Sequence, residues 1–158
     1  MKISHHLYAG AAAGTLIYIV SDQNLPLTVS FIAANSMIDL DHFVDFWHDH
    51  RKLFNIKGLV RASYSGNYRH FIVPLHSYEI LILFVILYTL GLRSLIFVGI
   101  ALGFTLHLLM DQAQAEFNSK TLFLLYRVKN KFIFEKIVDP QKLALKRRRI
   151  EPNESILT

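Results

Sequence analysis

Seven side chains of metal-binding type stand at the ends of apolar segments in this sequence: His6, Asp39, Asp41, His42, His76, His107 and Asp111. His107 and Asp111 are separated by four positions, so on a helix they share one face, one turn apart. Asp39 and His42 are separated by three and also share a face. Asp41 would lie about 200° round the helix from Asp39, so the D-L-D-H run reads equally as a helix end with the chain wrapping an ion. The chain has no cysteine, which removes thiolate zinc sites, disulfides and Cys nucleophiles. Imidazole with carboxylate suits Zn²⁺, Mn²⁺ or Fe²⁺, zinc first. Seven candidates exceed one tetrahedral shell, and two ions, or one ion with outer partners, account for the excess.

Four apolar segments must position these groups: 7–20, 25–40, 75–92 and 94–110. Ser21-Asp22-Gln23-Asn24 separates the first two, with Pro26 suited to the first turn that follows. Gly91 and Arg93 mark a tight turn between the last two. Each pair forms an antiparallel hairpin. If the hairpins lie side by side, all seven candidates fall in one layer. The run ILILFVILYTL (80–90) has neither charge nor polar face. A helix apolar all round is buried in a large interior or faces lipid, and 158 residues offer no such interior. Segments of this length reach about 25–27 Å, a little short of a ~30 Å hydrocarbon core. The Ala/Gly run of 7–20 suits close helix contact in a membrane, and also resembles the apolar part of a signal peptide.

Other placements carry blander readings. His5 fits a helix cap or surface residue. His48-Asp49-His50 is metal-like locally but lies in a basic stretch (43–71), where solvation explains it. His70 fits either role. Glu79 sits one turn into the third segment on the His76 face, as an ion-pair partner for Arg69, a general base, or support for a ligand. Residues 121–138 mix aromatic and basic side chains, as an interfacial amphipathic helix or a covering segment does. There is no G-x-S-x-G, P-loop or H-E-x-x-H, and no nucleic-acid-binding module.

The ordered set His6-Leu7, Asp39-x-Asp41-His42, His76-Ser77 and His107-x-x-x-Asp111 resembles the family of inner-membrane-associated metal-dependent hydrolases, also described as LexA-binding. The resemblance covers residues 1–138 and extends to Asn118 and Tyr126-Arg127. Members often carry Pro-Asp where this chain has Ile38-Asp39. They often carry His-Arg-Gly-x-Thr-His-Ser where it has Arg69-His70 followed at a distance by His76-Ser77. The ligand pattern is similar to that of zinc-dependent phospholipases C, which by analogy implies phosphoester hydrolysis.

The expectation is therefore an all-α integral membrane helical bundle of about four short spans with an interfacial C-terminal segment. Residues 1–138 form the membrane-embedded domain and 139–158 a basic tail. The expected function is metal-dependent hydrolysis of a phosphoester or lipid-linked substrate, with Glu79 or Asp41 taking the proton from water. A non-catalytic metal-binding scaffold, or a protein that binds a regulator, is the alternative. The lipid bilayer and a phospholipid or lipid-linked substrate are the expected partners, nucleic acid is not, and no oligomeric state follows from the sequence. The composition agrees: 53% hydrophobic, 18% charged, mean hydropathy +0.33. The net charge is +5 and the pI about 9.5. Of 17 Lys and Arg, only Arg93 lies in a loop opposite the candidate ligands. The positive-inside rule then places the ligands at the cytoplasmic face of the inner (plasma) membrane, with 21–24 and 91–94 outside.

Overall fold

The computed structural model describes residues 3–50, 69–113, 119–141 and 144. Within them the chain is all-α: α1 (Ile3–Val20), α2 (Leu25–Met37), a 3₁₀ turn (Ile38–Asp41), α3 (His42–His50), α4 (Tyr78–Thr89), α5 (Leu95–Ala113), a second 3₁₀ turn (Ser119–Leu122), α6 (Leu124–Lys129) and α7 (Phe134–Ile137). Asn118, most of the 43–71 stretch and nearly all of the basic tail lie outside the described residues. The chain divides into two compact units interleaved in sequence, one of Met1–Asp39 with Leu75–Ala113, the other of Leu40–Pro74 with Gln114–Thr158.

The first unit is built round α2. Asn24 caps it, its side chain accepting from the Leu27 N–H at 3.0 Å, and Pro26 occupies the first turn. Two G-x-x-x-G faces grip it. A Cβ on Gly10 would stand 2.4 Å from the Asn35 amide nitrogen, and one on Gly103 would stand 2.4 Å from the Phe31 carbonyl oxygen. Only hydrogen at those positions lets α1 and α5 approach so closely. Helix α4 packs on α5 through Phe84, which meets Phe97 and Phe104 edge to face at 5.6 and 5.2 Å. Gly91, at φ +106°, turns the chain out of α4 as expected of a C-terminal glycine.

The four expected spans are not reproduced as four long helices. Among the described residues only α5, with 19 residues, is long and apolar enough to cross a membrane. Helix α2 has 13 residues because the chain tightens into a 3₁₀ turn at Ile38, and α4 has 12 because it starts only after the extended Ser77. The surface of this unit is nonetheless oily. Leu16, Ile19, Val29, Ile82, Val85 and Ile96 are each more than half exposed, and α4 buries no residue at all. Its buried set is largely polar: His6, Thr28, Asn35, His76, Ser77, His107 and Asp111.

The second unit has an ordinary hydrophobic core of Phe46, Phe71, Val73, Phe134, Ile137 and Val138, with Phe43 and Tyr126 packed against it. Residues 121–138 are thus a covering segment of two short helices, not one interfacial helix. The Lys131 and Phe132 positions, both at positive φ, break the helix between them. Two buried charged side chains hold the segment before Pro74. Asp45 Oδ1 accepts from the Ile72 and Val73 N–H groups at 2.8 and 3.1 Å. Arg127, with no exposed surface, donates from Nη1 to the carbonyls of the same two residues, both at 2.8 Å. Burial pushes the Asp45 carboxyl up to about 7, against the two N–H groups that lower it, with Asp41 and Asp49 adding repulsion.

Candidate metal centre

The first unit gathers His6, Asp39, His76, His107 and Asp111 at one end. His6 lies in the first turn of α1, which begins at Ile3, four residues before the apolar segment that starts at Leu7. Asp39 lies in the turn after α2, His76 just before α4, and His107 and Asp111 on one face of α5. All but Asp39 are almost fully buried.

Asn35, in the last turn of α2, organises the cluster. Its side-chain amide donates to the His6 carbonyl at 2.8 Å, and its own carbonyl accepts from His107 Nδ1 at 2.7 Å. A carbonyl only accepts, so Nδ1 carries the hydrogen and the neutral His107 ring presents a bare Nε2. That nitrogen stands 3.5 Å from Asp39 Oδ1, 3.4 Å from Asp111 Oδ2 and 3.2 Å from His76 Nε2. His76 Nε2 stands 3.6 Å from Asp39 Oδ1 and 3.4 Å from Asp111 Oδ2. These separations exceed the 2.7–2.9 Å or so of a charge-assisted hydrogen bond. They surround a point with lone pairs, which only a proton or a cation can reconcile.

His6 adds a fifth group. Its ring stacks on His107 at 3.9 Å and 15°, and its Nε2 stands 3.2 Å from the other oxygen of Asp111, Oδ1. The buried His6, His107 and Asp111 are able to hold a metal ion together. Sequence reasoning missed Asn35. The signal was present, because an Asn inside an apolar helix one turn before Asp39 needs a buried partner.

Asp41 closes the 3₁₀ turn and His42 opens α3, and both belong to the second unit, with the His42 ring 6.4 Å from that of Phe71. The first unit by itself therefore holds five of the seven expected residues. The reason is the break at residues 39–40, where the chain leaves one compact unit for the other. Glu79 is half-buried in the first turn of α4.

The second unit contains a group that the sequence reads as solvated. Asp49 is buried to 4% side-chain exposure beside His48 and His70. Partial burial raises its carboxyl, but the His70 ring and the His70 and Arg69 N–H groups outweigh it and hold the group below the usual carboxylate range.

The architecture and cluster define an all-α protein with a buried His/Asp group able to hold a metal ion. No protein-family model matches the chain, and neither a curated protein nor a solved structure matches it.

Proposed function

We propose that this protein is a membrane-bound, metal-dependent hydrolase of a phosphoester or lipid-linked substrate, with Asp39, His76, His107 and Asp111 as the ligands of its ion. One observation carries the ligand set. Metal–ligand bonds of about 2.0–2.1 Å in a tetrahedron put neighbouring ligand atoms about 3.3–3.4 Å apart. Five of the six separations among the four atoms run from 3.2 to 3.6 Å. The bond from His107 Nδ1 to the Asn35 carbonyl supplies the outer partner that metal-binding imidazoles require. A divalent ion there supplies Lewis acidity, polarising an ester oxygen and acidifying water. His6, whose Nε2 stands 3.2 Å from Asp111 Oδ1, is assigned to proton exchange with that carboxylate, and Glu79, in the first turn of α4, to proton uptake.

Membrane association is supported by the polar interior and apolar exterior of the first unit, by α5, and by the resemblance set out above. The distribution of Lys and Arg supports a centre on the cytoplasmic side.

A second reading, a metal-binding scaffold without turnover, has one observation in its favour. Four protein ligands close a tetrahedron, as in structural zinc sites, whereas catalytic sites keep a position open. Two carboxylates in the set count the other way, since structural tetrahedra are built mainly from Cys and His. Purified protein, loaded with zinc or manganese, should cleave at least one member of a phosphodiester and phospholipid panel. Cleavage should vanish with chelation and in the His107→Ala/Asp111→Ala variant. A stoichiometrically loaded protein with no turnover on the panel selects the scaffold.

A further inference from the structure

We propose that His48 and His70, oriented by Asp49, form a second divalent-ion site in the other unit, one that takes an imidazole-seeking ion such as Zn²⁺, Ni²⁺ or Cu²⁺. The three side chains each offer a ligand atom within 4.8 Å of the others. They come from two places in the sequence. His48 and Asp49 are adjacent in α3, and His70 arrives more than twenty residues later.

Asp49 is fixed before any ion arrives. Its Oδ2 accepts from the Arg69 and His70 N–H groups at 2.7 and 3.1 Å, and its Oδ1 accepts from His70 Nδ1 at 2.7 Å. The backbone of His70 is fixed as well. It forms an antiparallel bridge with Ile133, flanked by the bond from Phe71 N–H to the Phe132 carbonyl at 2.8 Å and that from Phe134 N–H to the Arg69 carbonyl at 3.0 Å. Two rigid pieces therefore meet at one carboxylate.

The geometry assigns roles. At 2.7 Å the His70 Nδ1 carries the hydrogen shared with the Asp49 carboxylate, and Nε2 keeps its lone pair. This is the carboxylate–histidine half of a carboxylate–histidine–metal relay, in which the acid fixes the ring's tautomer and orientation. The His48 ring stands edge-on to His70, centroids 4.8 Å apart, with its Nδ1 3.3 Å from Asp49 Oδ1. That separation is longer than a charge-assisted hydrogen bond and leaves His48 able to turn toward an ion. A carboxylate serving only to cap the two N–H groups needs no imidazole, and here two converge on it. The rings are 48% and 36% exposed, so an ion reaches them from solvent without rearrangement of the core.

The site is independent of the proposed catalytic ion, and zinc titration of the full chain against a chromophoric chelator distinguishes them. The parent should bind two ions per chain. His48→Gln/His70→Gln should lose one and retain the other, and His107→Ala/Asp111→Ala should do the converse. His48→Gln alone removes an exposed side chain without touching the bonds between Asp49 and the backbone, so folding is preserved; it should weaken the second ion at least tenfold. Unchanged stoichiometry and affinity in both His48 variants would overturn the site. Loss of metal in them alone, with none lost from His107→Ala/Asp111→Ala, would keep this site and dismiss the centre in the first unit.

Discussion

Asp45 and Arg127 grip the same two peptide groups, the carboxylate taking the N–H of Ile72 and of Val73, the guanidinium taking both carbonyls. Each side chain satisfies backbone polarity that no helix or sheet reaches, and each is itself fully buried, the Arg127 guanidinium lying 5.6 Å from the centroid of the Phe71 ring. The Val73 backbone, at φ +22°, depends on that grip.

Removing the guanidinium should therefore be severe. Arg127→Ala deprives two carbonyls of their donor and empties a fully buried volume, a loss of about 2–5 kcal/mol. Arg127→Lys should recover only part, because an ammonium lacks the planar fork. Chemical denaturation of the parent and both variants measures the order. Equal midpoints would refute the grip.

The Asp45 carboxyl should make stability depend on pH. Its pKa is raised by folding from about 4 to about 7. The folded state thus binds the proton more tightly, and the stabilisation is complete below about pH 4 and fades as pH rises through 7. Asp45→Asn retains the Oδ1 acceptor and cannot titrate. The variant should gain on the parent between pH 5 and pH 8 in urea unfolding. A difference that stays constant across that range would contradict the assignment.

The metal ligands on α5 should fail together. His107→Ala/Asp111→Ala removes two of the four atoms round the proposed ion, and elemental analysis of the folded variant should find the first-unit ion gone. Undiminished metal at that centre would dismiss the ligand set.

Helix approach and metal affinity should be linked at Gly103. A Cβ there meets the Phe31 carbonyl oxygen at 2.4 Å, which is backbone and cannot swing aside. Gly103→Ala should cost about 1–3 kcal/mol and weaken metal binding, since His107 lies one turn further along α5. Gly91→Ala offers the contrast. It is strained by its φ of +106° but has open space round it, so it should cost stability and leave the metal alone. Equal metal affinity in all three proteins would break the link.

Sidedness is testable because the chain has no native cysteine. On the proposed topology Arg93→Cys should react with an impermeant thiol reagent in intact cells, and Lys136→Cys only after lysis. Both positions are exposed. The reverse pattern would place the proposed centre outside the cytoplasm.

The sequence by itself determined the helical character, the Asn24–Pro26 start of α2, the Gly91 turn, and five of the ligand-type residues that meet in the first unit. These follow from local rules: apolar runs, caps, and the four-residue spacing that puts His107 over Asp111. Tertiary structure decided the rest. It shortened α2 and α4, because a 3₁₀ turn ends α2 before its apolar run does and an extended Ser77 delays the start of α4. It sent Asp41 and His42 to a different unit from Asp39, a division no spacing rule contains. It made Asn35 the partner of both His6 and His107, and it joined Asp49 to His70 across a long stretch of chain. Such pairings arise from which surfaces pack together, and hydrogen-bond partners distant in sequence become fixed only when burial removes water as the alternative.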